Sequence, residues 1–379
     1  MTVTEGIPVR RPLRVMLVDD SATELYLLKK VFALAADMEV VASAENGRDA
    51  LDLLPQVQPD LVCTDYHMPV MDGLEFILRA MRVHPCTILV MSAAVQSFHK
   101  ENIFQMLSAG AVDVLAKPLG HAGGISAAEA QRFLEKVRAI AQLPSLQRRL
   151  TQPVPKAQPV ASVLPGSGLG SGSGPVPSLD RVELVALGAS TGGPQVLQVL
   201  LSQLPAHFGL PLVCVQHISE GFLEGMVSWL GSSAKLRVEM ARAGLSPVPG
   251  HVYFAPDGHH LTLDQRRCFA LAPCTGQDLH CPGVDPFFLS VARVYGPAAL
   301  GVLLTGMGRD GARGLKAMRE AGATTICQDE STSVIFGMPA AAIALGAARY
   351  VLPTNGIAAM MLRLGDQGLW AMEAPGTRD

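Results

Sequence analysis

The sequence has no excess of positive charge and no long apolar segment. It contains 30 Lys and Arg against 33 Asp and Glu, a formal net charge of −3. Binding to nucleic acid or anionic lipid needs clustered Lys and Arg, and no such stripe is present. No apolar run of signal-peptide length precedes Asp19 and Asp20, and none could span a bilayer. We therefore expect a cytoplasmic protein with no nucleic-acid partner and no direct membrane insertion.

Cysteine is scarce and carries no recognisable spacing. The seven cysteines are odd in number, scattered, and without CxxC pairs or His-rich neighbours. Such a pattern is typical of reduced thiols and argues against both disulfides and a zinc site.

The length and composition indicate two domains. The chain has 379 residues, of which 49% are hydrophobic and 17% charged, so each half can bury its own core. A Pro-, Gly- and Ser-rich segment without amphipathic period predicts a flexible linker over residues 144–180. We expect one domain over residues 12–143 and a second over residues 181–368.

Short apolar runs alternate with helical patterns on both sides of the linker. The runs include LRVMLVDD, DLVCTDY, CTILVMSA and VDVLAKP before it, and VELVALGAS, PLVCVQH and ALGVLLTGM after it. This alternation predicts parallel sheets flanked by helices, hence two α/β domains. For the second domain we predict a Rossmann-like, doubly wound, mostly parallel sheet.

Polar residues follow the apolar runs of the first half. Because functional residues of parallel sheets collect at the carboxyl ends of strands, Asp19, Asp20, Asp65, Ser92 and Lys117 are expected at one rim. Three clustered carboxylates repel one another unless a hard divalent cation lies among them, and oxygen ligation suits Mg²⁺. Such an ion and Lys117 would neutralise an incoming phosphoryl group, and one Asp would act as nucleophile.

The second half opens on a glycine-flanked serine. Residues 188–192, GASTG, fit the G-x-S-x-G pattern between a strand and a helix. The same loop would bind phosphate, so the loop alone does not distinguish a nucleophilic serine from a phosphate-binding site. A nucleophile also needs a base and an orienting carboxylate. His217 and Asp310 follow later strands of the same sheet, which predicts a Ser190–His217–Asp310 triad.

Two other enzyme classes fit this loop less well. An α/β-hydrolase elbow is followed by Asp before His, the reverse of the order here. A dinucleotide-binding oxidoreductase needs G-x-G-x-x-G and an acidic residue about 20 positions later. Ser190 occupies the place of the second glycine, and no acidic residue ends the next strand.

Residues 13–120 resemble a response-regulator receiver domain through VDD, TDYHMPVMDG, MSA and KP. The resemblance implies a flavodoxin-like, five-stranded parallel sheet. It makes Asp65 the phosphoacceptor, with Asp19, Asp20 and Asp65 around Mg²⁺. Ser92 and Lys117 are then the switch residues. Val114 occupies the position where the family usually has an aromatic switch residue. This departure bears on the aromatic part of the switch and not on phosphorylation itself.

Residues 181–366 resemble the catalytic domain of the CheB family through LGASTGG, VQHIS, APDGHHL, LLTGMGRDGARGL and FGMPAAAIALGA. The resemblance implies hydrolysis of glutamate methyl esters on methyl-accepting chemotaxis receptors and deamidation of their glutamines. The backbone N–H groups of Thr191 and Met307 are candidates for the oxyanion hole, and His260 is expected to border the site. The family's arginine before the next helix is replaced by Cys281.

A receiver joined to a hydrolase predicts control by phosphorylation. A chemotaxis-type histidine kinase would phosphorylate Asp65, and the change in the receiver would uncover Ser190. No cofactor is expected in the catalytic domain. Two alternatives remain: a non-catalytic adaptor that binds receptor or kinase, and a regulator with a DNA-binding output, for which no basic helix-turn-helix is present.

Overall fold

The computed structural model describes residues 11–92, 100–118, 125–141, 182–275 and 278–372. The predicted linker, residues 144–180, lies outside the described residues. Within them, no helix combines the length and the apolar character that crossing a membrane requires.

The N-terminal part is a five-stranded, all-parallel sheet in the order β2-β1-β3-β4-β5, which confirms the predicted receiver fold. Five helices accompany it. The strands are β1 (Leu13–Val18), β2 (Met38–Ala44), β3 (Leu61–Thr64), β4 (Thr87–Ser92) and β5 (Asp113–Ala116). The helices are α1 (Ala22–Phe32), α2 (Gly47–Val57), α3 (Gly73–Val83), α4 (Lys100–Ser108) and α5 (Ala127–Ala141).

Short polar residues after the strands begin these helices. Ser21 caps α1 by accepting from the Glu24 N–H, and Asp72 caps α3 by accepting from the Glu75 N–H. A side-chain oxygen at this position satisfies an N–H that the helix leaves unpaired. The loops at the carboxyl ends of β1 and β3 therefore turn directly into helices.

The C-terminal part contains a seven-stranded, all-parallel sheet in the order β14-β13-β12-β6-β7-β9-β8, which confirms the predicted Rossmann-like fold. An antiparallel hairpin, β10–β11, lies beside it. The strands are β6 (Leu184–Ala189), β7 (Leu212–Gln216), β8 (Arg237–Met240), β9 (His251–Phe254), β10 (His259–Leu263), β11 (Phe269–Pro273), β12 (Ala299–Leu303), β13 (Thr324–Gln328) and β14 (Tyr350–Leu352). The helices are α6 (Gly193–Gln203), α7 (Leu223–Ser233), α8 (Val284–Tyr295), α9 (Ala312–Glu320), α10 (Met338–Ala344) and α11 (Thr354–Met372).

The chain order reverses at β6. This strand pairs with β7 on one side and with β12 on the other. Such a reversal opens a crevice outside the carboxyl ends of the strands, where α/β proteins bind ligands. The segments after β12, β6 and β7 therefore face a common crevice.

The two domains contact each other through α4 and β5 of the receiver. The rings of Phe104 in α4 and Trp229 in α7 lie 5.7 Å apart between centroids. Gln195 Nε2 in α6 donates to the carbonyl oxygens of Ala111 at 3.1 Å and Val112 at 2.8 Å. The receiver face that contains β5 thus lies against the start of α6, directly after Ser190.

One prediction about the cysteines is wrong. Cys274 and Cys281 form a disulfide, with Cα atoms 6.0 Å apart. Cys274 follows β11 and Cys281 precedes α8. The fold brings them within bonding distance, which their spacing in the sequence did not reveal. The remaining free cysteines are Cys63, Cys86, Cys214, Cys268 and Cys327.

Candidate active site

The carboxyl ends of β1 and β3 bring the three receiver carboxylates together. Oxygen atoms of Asp19, Asp20 and Asp65 all lie within 4.8 Å of one another. Asp19 is fully buried, and Asp20 is exposed. Carboxylate oxygens at this spacing, with one exposed member beside solvent, are a ligand set that fits Mg²⁺ and leaves room for water and phosphoryl oxygens.

A buried ammonium group neutralises the cluster. Lys117 Nζ lies 2.6 Å from Asp19 Oδ2 and 3.2 Å from Asp65 Oδ2, and it also pairs with Glu24. Burial alone would lower the pKa of Lys117, but the carboxylates of Asp65, Asp19 and Glu24 raise it above its ordinary value. Burial raises the pKa of Asp65 to about 6, against the opposing effect of Lys117. Sequence analysis missed Glu24, because it lies inside α1 rather than at a strand end.

Ser92 and Lys117 lie at the ends of adjacent strands. The Lys117 N–H donates to the Ser92 carbonyl at 2.8 Å. β5 therefore carries Lys117 to the carboxylates and also forms part of the receiver face that contacts the second domain. Lys117 therefore lies beside both the carboxylate cluster and the receiver face that contacts the second domain, and Ser92 ends the neighbouring strand.

Ser190 lies in a tight turn at the carboxyl end of β6. Its N–H donates to the Thr305 carbonyl at 3.0 Å, which ties the turn to the segment after β12. Gly192 has φ +77°, and a Cβ there would lie 2.3 Å from Val334 Cβ, so only glycine fits. α6 begins directly afterwards, which aims the positive end of its dipole at the turn.

His217 and Asp310 are hydrogen-bonded. His217 Nε2 lies 2.9 Å from Asp310 Oδ2, the one side-chain hydrogen bond among the three predicted triad residues, all of which the structure describes. The Asp310 carboxylate also accepts from the N–H groups of Val284 at 2.7 Å, Asp285 at 2.9 Å and Gly311 at 2.9 Å. Burial opposes ionisation, but the interaction with His217, and after it the N–H groups of Val284 and Asp285, hold the pKa of Asp310 well below its ordinary value.

Gln216 joins the serine turn to the histidine. Its Nε2 donates to the carbonyl oxygens of Ser190 and His217, both at 2.8 Å. A Cβ on Gly193 would lie 2.1 Å from Gln216 Oε1, so the glycine makes room for this side chain. Sequence analysis treated Gln216 as a strand residue. The signal in the sequence that could have identified Gln216 was its position directly before His217, the predicted base.

The two candidate oxyanion donors lie on segments that contact Ser190. Thr191 follows it directly. Met307 follows Gly306, where a Cβ would lie 2.7 Å from Ser190 Cβ. Within the described residues, neither the Thr191 N–H nor the Met307 N–H donates to a backbone carbonyl. Both are therefore available to a developing oxyanion.

His260 contacts the segment beside the triad. Its Nδ1 accepts from the Gly283 N–H at 3.0 Å, and its Nε2 lies 3.4 Å from Asp278 Oδ2. The imidazole stacked on His217 is instead that of His280, with centroids 4.5 Å apart and planes inclined by 9°. Burial and the neighbouring His217 lower the pKa of His280 to about 4, so the stacked ring is neutral at pH 7. Sequence analysis did not assign His280 to the site, because it lies on a loop and not at a strand end.

The receiver covers this crevice. Ser190 is 7% exposed. The side chain of Thr191 lies close enough to the carboxyl of Asp113 in β5 to oppose the rise in the pKa of Asp113 that burial causes. Met307 and Val334 pack against the receiver's hydrophobic core, so both segments that flank the serine are in contact with the first domain.

Comparisons with known proteins agree with the two-domain description. The family model "CheB methylesterase" matches residues 185–361, and "Response regulator receiver domain" matches residues 15–129. A protein-glutamate methylesterase/protein-glutamine glutaminase of Syntrophus aciditrophicus is 39% identical over 356 residues, covering 93% of this chain and 98% of the relative.

A second full-length relative and a solved catalytic domain are also similar to this chain. A protein of the same description from Nitrosospira multiformis is 37% identical over 355 residues, covering 93% of this chain and 97% of the relative. The crystal structure of the Thermotoga maritima CheB methylesterase catalytic domain is 37% identical with a TM-score of 0.47, covering 48% of this chain and 98% of that one.

Proposed function

The chain belongs to the CheB family of receiver-containing methylesterases, and on that premise we propose how its residues carry out and control the reaction. It is a phosphorylation-regulated protein-glutamate methylesterase and glutaminase. One observation carries the mechanism proposed here: Ser190, His217 and Asp310 follow three adjacent strands beneath a receiver face. Methyl-accepting chemotaxis receptors are the proposed substrates, and the cytoplasm is the proposed location, without a nucleic-acid partner.

Hydrolysis would run through an acyl-enzyme on Ser190. The Ser190 oxygen attacks the ester carbon of the methylated glutamate, and His217 takes the hydroxyl proton. The N–H groups of Thr191 and Met307 stabilise the oxyanion. The C–O bond to the methoxy group breaks, and His217 returns the proton, releasing methanol. Water then attacks the acyl-enzyme by the same route. A glutamine substrate would release ammonia in place of methanol.

Asp310 would select the tautomer of His217. Because Asp310 Oδ2 contacts Nε2, the carboxylate holds a proton on that nitrogen and leaves Nδ1 as the base for Ser190. The same carboxylate stabilises the imidazolium that forms after proton transfer. His280 lies flat on the ring and restricts its rotation.

Phosphorylation would occur at Asp65. A chemotaxis-type histidine kinase is the proposed donor, and its phosphoryl group moves to an Asp65 oxygen. Mg²⁺ held by Asp19, Asp20 and Asp65 would supply charge neutralisation during the transfer. Lys117 would release one carboxylate and pair with a phosphoryl oxygen. Ser92 would donate to another.

β5 would connect this event to the catalytic crevice. Lys117 is bonded to Ala116, whose N–H donates to Ser219 Oγ at 3.3 Å, two residues after His217. A movement of Lys117 toward the phosphoryl group therefore acts on an interdomain hydrogen bond. Loss of this bond and of the Gln195 contacts would let the receiver leave the face that covers Ser190. In this coupling, the charge that phosphorylation adds changes local electrostatic contacts, and these contacts in turn change the interface between the domains.

Asp65→Asn is expected to remove phosphodonor stimulation while leaving the basal rate within about twofold, because the carboxylate that accepts the phosphoryl group is lost. The measurements are phosphoryl incorporation from acetyl phosphate and methanol release by the full-length protein. Asp72→Asn is the matched control, since Asn also caps helices well and Asp72 lies on the same loop. Normal stimulation of the Asp65 variant would contradict the assignment.

Docking of the receiver is expected to weaken as the pH rises through about 6. Burial raises the pKa of Asp113 to about 6 in the docked domains, although Lys136, the Val114 N–H and the Thr191 side chain oppose the shift. A raised pKa means that the docked form holds the proton more tightly than the separated form. Docking is therefore strongest below the ordinary carboxyl pKa and is progressively lost toward pH 6.

Asp113→Asn imitates the protonated group at every pH. The ratio of the wild-type rate to the variant rate, both unphosphorylated, should rise about three- to tenfold from pH 5 to pH 7.5, because pH 5 already lies above the ordinary carboxyl pKa at which docking begins to weaken. Using the ratio of the two proteins cancels the pH dependence that their chemistry shares. A ratio that is constant from pH 5 to 8 would contradict the role of Asp113.

The activity itself is tested by release of methanol and ammonia from receptor-containing membranes. Full-length wild type is expected to release methanol from methylated receptors and ammonia from glutamine-bearing ones. The adaptor alternative predicts neither product, but retains receptor binding in a sedimentation assay.

A further inference from the structure

The Cys274–Cys281 disulfide lies beside the triad and within reach of solvent. It joins the residue after β11 to the segment that enters α8. Both cysteines are half-buried. Of the five free cysteines, Cys268 is also half-buried, and the other four are buried. The disulfide therefore lies in a partly exposed part of the structure, unlike the four buried thiols.

The segment anchored by this bond holds two members of the triad. His280, the residue before Cys281, stacks on His217. The N–H groups of Val284 and Asp285 donate to the two oxygens of the Asp310 carboxylate. Residues 280–285 thus fix the orientation of the base and of its partner. The disulfide is the covalent attachment at the start of that segment.

Few other contacts hold the start of this segment. The Gly283 N–H donates to His260 Nδ1. Asp278 accepts from the N–H and the hydroxyl of Thr275, but both of these residues are exposed. Exposed hydrogen bonds contribute little to local order because water competes for the same groups. Among the described residues, breaking the disulfide would leave the start of this segment with the stacking of His280 on His217, the Gly283–His260 hydrogen bond and the contacts of exposed Asp278 with Thr275 and His260.

A metal site is the competing explanation for this cluster. Ligand atoms of His260, Cys274 and Asp278 lie within 4.8 Å of one another. However, the Cys274 sulfur is already bonded to Cys281. His260 Nδ1 accepts a hydrogen bond, so the neutral ring carries its proton on Nε2, the atom that faces Asp278. A cation at Nε2 would have to displace that proton, and a cation at Nδ1 would have to break the hydrogen bond from Gly283. The contacts favour sulfur chemistry over metal binding.

We propose that Cys274 and Cys281 form a thiol–disulfide exchange site that controls the esterase by fixing His280 and Asp310. The oxidised pair supports full activity, and reduction lowers it. The inference rests on the proposed function of Ser190, His217 and Asp310. Disulfides in reducing compartments are usually transient or redox-sensing, which suits a control element better than a permanent crosslink.

The exchange partner is a dithiol. One thiolate of the dithiol attacks a sulfur of the pair, the Cys274–Cys281 bond breaks, and the departing sulfur takes a proton. The second thiol of the reductant then displaces the other cysteine from the mixed disulfide. Two electrons and two protons pass to the pair, and the dithiol becomes a disulfide. The oxidised dithiol reverses the reaction.

The test uses full-length wild type with acetyl phosphate and Mg²⁺ in buffers of graded dithiothreitol to oxidised dithiothreitol. Alkylation followed by mass spectrometry gives the oxidised fraction of the pair, and methanol release gives kcat and KM. We expect kcat to fall about tenfold on reduction, as for a displaced catalytic group. The fall should follow the oxidised fraction, with less change in KM, and re-oxidation of the same sample should restore it.

Two variants make the result specific. Cys268→Ser should respond to the buffers as wild type does. The double variant Cys274→Ala, Cys281→Ala should have the rate of the reduced protein in every buffer. A rate that stays constant while the pair titrates would overturn the proposal, and so would a pair that remains reduced throughout. If oxidised wild type released no more methanol than Ser190→Ala, the proposed function would be contradicted. This inference depends on that function and would be contradicted with it.

Discussion

Ser190→Ala is expected to lower methanol release from methylated receptors by about four orders of magnitude, because the acyl-enzyme cannot form without the serine oxygen. Ser190 lies at the centre of the proposed chemistry: its turn is bound to Thr305, joined to His217 through Gln216, and followed by a helix N-terminus. Removing one oxygen from this turn leaves these backbone contacts intact. The loss should therefore appear in kcat and not in the thermal stability of the protein.

The control is Ser202→Ala on α6, the helix that follows the serine turn. Ser202 Oγ donates to the Val199 carbonyl on an exposed face of α6, away from the crevice. This change is expected to leave kcat within about twofold, as surface substitutions usually do. Phosphoryl incorporation at Asp65 should be unchanged in both variants. Retention of more than a few per cent of the rate by Ser190→Ala would exclude the serine as nucleophile.

Asp310→Asn is expected to reduce kcat by about three to four orders of magnitude. Each carboxylate oxygen accepts two N–H groups: Oδ2 from His217 and Val284, and Oδ1 from Asp285 and Gly311. An amide must turn its NH₂ group toward one of these pairs. Turned toward His217, it moves the ring proton to Nδ1 and removes the base for Ser190.

Turned toward Asp285 and Gly311, the amide leaves two buried donors without an acceptor. Each such donor costs about 1–3 kcal/mol, so the melting temperature should fall together with kcat. Asp285→Asn is the matched control, since Asp285 Oδ1 accepts from the Gly314 N–H and does not contact His217. It should lose less than about tenfold in kcat. Equal losses in the two variants would show that Asp310 acts only through the fold.

The pattern of strand ends predicted the catalytic layout because parallel sheets align the carboxyl ends of their strands. Ser190, His217 and Asp310 follow β6, β7 and β12, which are neighbours in the sheet although β12 is distant in the sequence. The receiver carboxylates follow the same rule. In both domains, apolar runs located the central strands, because strands buried on both faces are continuous in hydrophobicity. The half-exposed edge strands β8 and β14 and the β10–β11 hairpin were not predicted.

The residues that sequence analysis missed lie off this pattern. Glu24 reaches Lys117 from within α1, Gln216 is the last residue of a buried strand, and His280 lies on a loop. Their partners are fixed by tertiary packing, which local periodicity does not contain. The disulfide was missed for the same reason, because the approach of β11 to the start of α8 is a property of the fold.

The interface between receiver and hydrolase was expected only in outline. A flexible linker allowed docking but did not predict which surfaces meet. The contact of β5 with α6 depends on the half-buried side chain of Gln195, and the contact of α4 with α7 depends on Phe104 and Trp229, and nothing in their sequence positions marks them as interface residues. The functional inference that the receiver covers Ser190 came from the domain order, and the contacts now give it named residues.

The most direct test of the account is the rate of methanol release by one sample of full-length protein before and after addition of acetyl phosphate and Mg²⁺. We predict an increase of about tenfold or more, because phosphorylation at Asp65 frees the face that covers Ser190. The increase should disappear when EDTA is present from the start. An unchanged rate, with Asp65 shown by mass spectrometry to be phosphorylated, would contradict the claim that the receiver controls access to the triad.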